Sequence, residues 1–161
     1  MCLGGVFAKI IVPIFVVEDG TIDGMKYLHI LQNHLVPYLK KHHMCSRSVF
    51  QQDGAPPHIH NDVRNFITET FGEANVISRF YPHKWPPRSP DLSPVDFWYW
   101  GHVKRLVYGS GLPSSKAQLI QKIKDATNQI SLRNVKSANN SFLNRLALLS
   151  DNDGAHFEHI L

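Results

Sequence analysis

An α/β domain with a helical C-terminal part is the fold class this sequence predicts, on two observations. Short β-rich runs alternate with helical periodicities up to the proline-rich stretch that ends at Pro94, and beyond it every apolar pattern is helical. Strands interleaved with helices, followed by helices alone, are the signature of a sheet flanked by helices with a helical extension. No internal repeat or low-complexity segment competes with that reading.

Taken in order, Val6-Phe7-Ala8 and Ile10 to Val17 are β-rich, and Glu18-Asp19-Gly20-Thr21 with Asp23-Gly24 supply turn chemistry. From Met25 to Lys41, Leu28, Leu31, Leu35 and Leu39 recur at helical spacing, and Tyr27, Ile30 and Tyr38 widen the stripe. Pro37 predicts a kink or an early end there. Ser48 to Gln52 reads as a short buried strand. Asn61 to Phe71 is the cleanest helix: Val63, Phe66, Ile67, Thr70 and Phe71 share a face, Asn61 is placed to cap it and Gly72 to end it. Val76 to Phe80 is a further strand. Pro82 to Pro94 carries five prolines and is extended loop.

Ser93 as N-cap and Pro94 at the first helical position then open a helix to about Tyr108-Gly109. Helices follow at about Ser115 to Ile130 and Leu132 to Leu149. Asp153-Gly154 turns into a tail, Ala155 to Leu161. Residues 1–112 thus form the sheet-bearing core and 113–161 a helical C-terminal part of the same domain.

With 161 residues, 43% apolar and 19% charged, the chain has the makings of one globular domain. No apolar run approaches the ~20 residues that span a bilayer. The segment Met1-Cys2-Leu3-Gly4-Gly5-Val6 has neither the basic start nor the cleavage site of a signal peptide. Cys2 and Cys45 are too few for a disulfide framework, so an intracellular compartment is expected. A net charge of +4 leans weakly towards polyanionic partners, with the basic residues scattered rather than gathered in a tail.

Two segments carry chemistry: Gln51-Gln52-Asp53-Gly54-Ala55-Pro56-Pro57-His58 and Ser89-Pro90-Asp91-Leu92-Ser93-Pro94-Val95-Asp96. Asp53 follows a strand, and Asp96 starts an aromatic helix. Carboxylates at such positions meet at one edge of an α/β sheet and supply the oxygen ligands that a hard divalent cation takes. Each also has a plainer role. Asp53 can start a turn and bond its own backbone. Asp96, three residues after Ser93, fits a capping-box variant at a helix N-terminus. Asp91, after Pro90, reads as a turn residue.

His42, His43, Cys45, His58 and His60 match no tetrahedral zinc spacing. His58 and His60 are expected to hydrogen-bond in the loop after Asp53. Trp98 and Trp100, at helical spacing, are core residues, whereas Trp85 in the proline loop suits a surface contact such as base stacking. Lys84 and Arg88 beside it, and Lys104 and Arg105 on the aromatic helix, are candidates for phosphate contacts.

Together, QQDGAPPH (51–58) and WPPRSPDLSPVDFWYWG (85–101) resemble the catalytic domains of mariner-type cut-and-paste DNA transposases of the mariner/Tc superfamily. FVVEDGTIDGMKYLHILQNHLVPYL (15–39) resembles the strand, turn and helix before the second acidic ligand, and GAHFEHIL (154–161) the closing segment of insect-type elements. The resemblance implies an RNase H-like mixed sheet flanked by helices, with three carboxylates holding two Mg2+ or Mn2+ ions. It makes Asp53 the second ligand and Asp96 the third, an Asp as in mariner proper.

It further implies DNA cleavage and strand transfer, a DNA partner, a possible homodimer and a nuclear location, with no membrane and no small-molecule substrate. The first strand, with its ligand, and the DNA-recognition modules would lie before residue 1. Glu18, Asp19 and Asp23 match none of the ligand positions. On this reading the 161 residues alone are expected to be inactive or nearly so. The other reading is a non-enzymatic nucleic-acid-binding or dimerising module that keeps the fold.

Overall fold

A computed structural model of the protein describes residues 2–6, 11–17, 20–87, 89–155 and 157. The chain forms two compact units, one of Val17–Arg88 and one that combines Cys2–Val16 with Ser89–Leu161. Among the described residues no helix is long and apolar enough to cross a membrane.

The first unit is built on one long helical segment. Asp23 caps it by accepting the Lys26 backbone N–H at 2.8 Å, and helix α1 runs over Gly24–Ile30. A wide π-helical turn, Leu31–Leu35, joins it to helix α2, Val36–Lys41. Pro37 therefore neither ends the segment nor breaks it. Its ring excludes the carbonyl of the residue four before it and it donates no hydrogen bond. The wider turn absorbs both demands, and Val36 N–H closes on the carbonyl of Leu31. Of the apolar stripe read from the sequence, Tyr27, Leu28, Ile30, Leu31, Leu35 and Leu39 are buried and Tyr38 is half-buried, and Val36 is buried as well.

Strand β3 (Phe50–Gln51), helix α3 (Asn61–Phe71) and strand β4 (Val76–Ile77) form a parallel β-α-β unit, with Phe50 opposite Val76 and Gln51 opposite Ile77. Helix α3 buries Val63, Ile67 and Phe71, and the Phe71 ring stacks on Phe50 with centroids 5.0 Å apart. His60, not Asn61, is the N-cap residue, and no side chain caps the helix. Gly72 does end it, at φ +77°, a left-handed conformation that favours glycine.

Strand β4 is shorter than the expected Val76 to Phe80. Ser78 N–H turns to the carbonyl of His83 (3.1 Å), and Ser78 O receives the N–H groups of Tyr81 and Trp85 (3.4 and 3.3 Å). The backbone of Ser78 is spent on the loop, and Arg79 and Phe80 leave the sheet.

In the second unit, strands β1 (Cys2–Val6) and β2 (Ile11–Val16) pair antiparallel with an irregularity between Leu3 and Gly5. From Pro90 to Asp151 every described element is helical. A π-helical turn, Val95–Tyr99, leads into helix α4 (Trp100–Gly109). Helices α5 (Lys116–Asn128) and α6 (Leu132–Asp151) follow. Their starts are set by Ser115, which caps Gln118, and by a Ser131–Asn134 capping box. The core joins Tyr99, Val103, Val107, Ala126, Ile130 and Val135, with Trp98 and Trp100 packed against it as expected. Helix α5 lies against β2 and α4. Of the expected tail, Phe157 is fully buried, and residues 156 and 158–161 lie outside the described residues, as do 7–10 and 18–19.

Candidate metal and nucleic-acid site

Asp53 sits two residues beyond the end of β3, where Gly54 and two prolines keep the strand from resuming. Gln52 makes the last ladder bond, its N–H reaching the carbonyl of Ile77 at 3.1 Å. The plain turn role is present: Asp53 Oδ1 accepts the backbone N–H of Ala55 at 3.0 Å. His58 Nδ1–H donates to the same oxygen at 2.6 Å. Among the described residues Oδ2 has no hydrogen-bond partner, and the side chain is 61% exposed. One oxygen is committed to the loop; the other is open to a ligand.

A buried network holds this arrangement from beneath. Tyr27 hydroxyl donates to Gln52 Oε1 (2.9 Å), Gln52 Nε2 donates to the carbonyl of His58 (3.0 Å), and the Tyr27 and His58 rings lie 4.6 Å apart. Burial, reinforced by the charge of Asp53, pushes the Tyr27 phenol well above the usual tyrosine range, so it stays a donor. In the sequence nothing marks Tyr27 beyond its place in an apolar stripe. His58 does bond in this loop, as expected. His60 is 3.8 Å from Asp62, a contact too long for a hydrogen bond.

Asp96 belongs to the second unit, in the first turn of the segment that leads into α4. Its backbone N–H is held by Ser93, at 2.9 Å from the carbonyl and 3.4 Å from Oγ. The reciprocal half of a capping box is missing, because Ser93 N–H goes to the carbonyl of Pro90 at 3.1 Å. The Asp96 side chain is exposed and its carboxylate has no hydrogen bond or ion pair among the described residues. Both aspartates thus present an uncommitted hard oxygen, the donor type that Mg2+ and Mn2+ take.

Lys84 is exposed and Trp85 half-buried in the loop pinned to Ser78, and among the described residues neither hydrogen-bonds or ion-pairs with Asp53. Arg88 lies outside the described residues. Lys104 and Arg105 are exposed on α4, with Arg105 Nη2 at 3.4 Å from His102 Nδ1. Partial burial, then the nearby Arg105 charge, lowers the His102 pKa, which keeps that nitrogen an acceptor. The sequence reading passed over Arg64 and placed Arg79 and Phe80 in a strand. In the structure both guanidiniums lie over the Phe80 ring, each 5.2 Å from its centroid.

No family model matches the chain. Its fold matches the Mos1 transposase paired-end complex with left transposon end (TM-score 0.79, 20% identity, 98% of this chain, 44% of that one). It matches equally the Mos1 transposase catalytic domain with Raltegravir and Mn (TM-score 0.79, 18% identity, 98% of this chain, 76% of that one). The fold is therefore RNase H-like. In sequence it is 33% identical over 129 residues to the Tc3 transposase of Caenorhabditis elegans, which is 80% of this chain. It is 33% identical over 91 residues, 56% of this chain, to the Tcb1 transposase of Caenorhabditis briggsae.

The chain belongs to the mariner/Tc transposases. These matches span 36% of the Tc3 protein and 29% of the Tcb1 protein, so the mariner/Tc chain covers about a third of its relatives' length.

Proposed function

We propose that this mariner/Tc chain serves DNA cleavage and strand transfer in transposition, with Asp53 and Asp96 as two carboxylate ligands for divalent metal. The observation that carries the proposal is the open oxygen on Asp53, held at the end of β3 by Ala55 and His58. The exposed, unpaired Asp96 carboxylate supports it. Solved structures of the Mos1 catalytic domain with Mn and with Mg support the choice of ion, and the Mos1 complex with a transposon end supports DNA as substrate.

When bound, divalent ions supply Lewis-acid stabilisation of the phosphodiester and activation of the attacking hydroxyl. The chain's own residues provide the rest. His58 and the Ala55 N–H fix the Asp53 carboxylate in one orientation, and the Tyr27–Gln52 pair keeps His58 and its loop in place. Exposed Lys84, Lys104 and Arg105 offer charge to phosphates. Homodimerisation and a nuclear location belong to the same proposal and rest on the transposition role.

The family resemblance calls for three carboxylates and matches two of them here. We therefore expect the 161-residue polypeptide to bind Mn2+ weakly and to nick DNA no better than its Asp53→Ala variant. Titration of Mn2+ followed by electron paramagnetic resonance tests the site, with Asp53→Asn and Asp96→Asn each abolishing the residual binding. Binding that survives both substitutions would remove the aspartates from the metal site, and metal-dependent nicking well above the Asp53→Ala control would overturn the expected inactivity.

A further inference from the structure

Arg64, on helix α3, and Arg79, just beyond β4, come from different elements yet share one aromatic ring. Their guanidinium carbons each lie 5.2 Å from the Phe80 centroid, inside the ~6 Å range of cation–π attraction. Neither arginine has an ion pair or a side-chain hydrogen bond among the described residues, and Arg64 Nε is buried without a partner. Phe80 itself is 51% exposed. Two cations held by one ring repel each other, and among the described residues neither forms an ion pair with a carboxylate. Folding that leaves such a pair unpaired forgoes the stability that a nearby carboxylate would add.

The pair is also placed beside the candidate metal ligand. A Cβ built on Gly54, the residue after Asp53, falls 2.9 Å from Arg79 Cδ, so the stem of Arg79 crosses the backbone there. The absence of a side chain at Gly54 makes that approach possible. Arg64 is anchored from the other side, since the Tyr81 hydroxyl donates to its carbonyl at 2.9 Å and meets Thr68 Oγ1 at 3.1 Å.

We infer that Arg64 and Arg79, aligned by Phe80, form a fork that grips a backbone phosphate of the DNA strand next to Asp53. The planar guanidinium suits this task because its N–H groups match phosphate oxygens two at a time. The ring orients both cations before the ligand arrives, which spares part of the ordering cost of binding. This fork deepens the transposition reading and rests on it for the identity of the strand.

The test is fluorescence anisotropy of a labelled DNA duplex against the 161-residue chain, in EDTA and over a salt series. Arg79→Ala should weaken binding about tenfold and reduce the slope of log affinity against log salt by about one phosphate contact. Phe80→Ala leaves the charge intact and should still weaken binding about threefold, the scale of an exposed cation–π contact. Lys41→Ala, an exposed cation at the end of α2, should bind as wild type.

If Lys41→Ala loses as much as Arg79→Ala, or Phe80→Ala loses nothing, the effect is one of net charge and the fork is wrong. Displacement of the duplex by inorganic phosphate at equal phosphate concentration would overturn it too, because the site would then be a small-anion site. Since EDTA removes metal, failure of the aspartate site and failure of the fork are read separately.

Discussion

Asp53 divides its carboxylate in two, and the division suits the ligand role proposed for it. Oδ1 is tied to Ala55 and His58, while Oδ2 stays open. The cost of that order is borne by Tyr27 and Gln52, whose buried hydrogen bond has no water to replace it. Tyr27→Phe should lower stability by about 1–3 kcal/mol in urea unfolding, because Gln52 Oε1 is left without its donor. The raised phenol pKa adds a sign. The folded state keeps the Tyr27 proton above 10.0, where an unfolded tyrosine loses it, so folded protein binds more protons and stability falls as pH rises past that value. The Tyr27→Phe variant should show a flatter alkaline limb. Gly54→Ala is a different kind of change: the new methyl meets the flexible stem of Arg79 and displaces it. We expect weaker DNA binding with little change in melting temperature, measured on the same sample.

Elements were legible where local chemistry decides them and obscure where tertiary demands do. Ser115 and Ser131 start α5 and α6 within a residue of the sequence expectation, because capping is a contact of near neighbours. Ser131→Ala should cost about 1 kcal/mol in urea unfolding, the usual worth of an N-cap side chain. Gly24→Ala, at the first residue of α1, should cost more. Its Cβ would lie 2.6 Å from His60 Cγ, at the base of a side chain that cannot swing clear, and we expect about 1–3 kcal/mol. Asn61 suits a cap by residue type, but the chain bends one residue earlier, at His60. Pro37 predicts a kink or an early end, and instead a π-helical turn before it lets the helical segment and its buried apolar stripe continue. Strand β4 stops at Ile77 because Ser78 binds the loop, a competition between residues up to seven apart that a β-rich run does not display.

At the scale of the molecule, the two acidic motifs were the legible part of the site. A strand that ends in Asp-Gly-Ala-Pro-Pro and a helix that opens with Ser-Pro-x-Asp place their carboxylates by local rules, and both stand exposed as those rules require. The Tyr27–Gln52–His58 network and the Arg64–Phe80–Arg79 fork were not legible, since each joins elements through packing that leaves no periodicity in the sequence. The proposal that Asp53 and Asp96 are metal ligands can be checked directly. Fe2+ substituted for Mg2+, with ascorbate and peroxide, cuts a polypeptide backbone beside the bound ion, and mass spectrometry locates the cuts. We expect scission around both Asp53 and Asp96, suppressed by excess Mg2+ and lost in Asp53→Asn. Cuts at only one of the two aspartates, or centred on His42 and His43, would contradict the proposal that both are ligands.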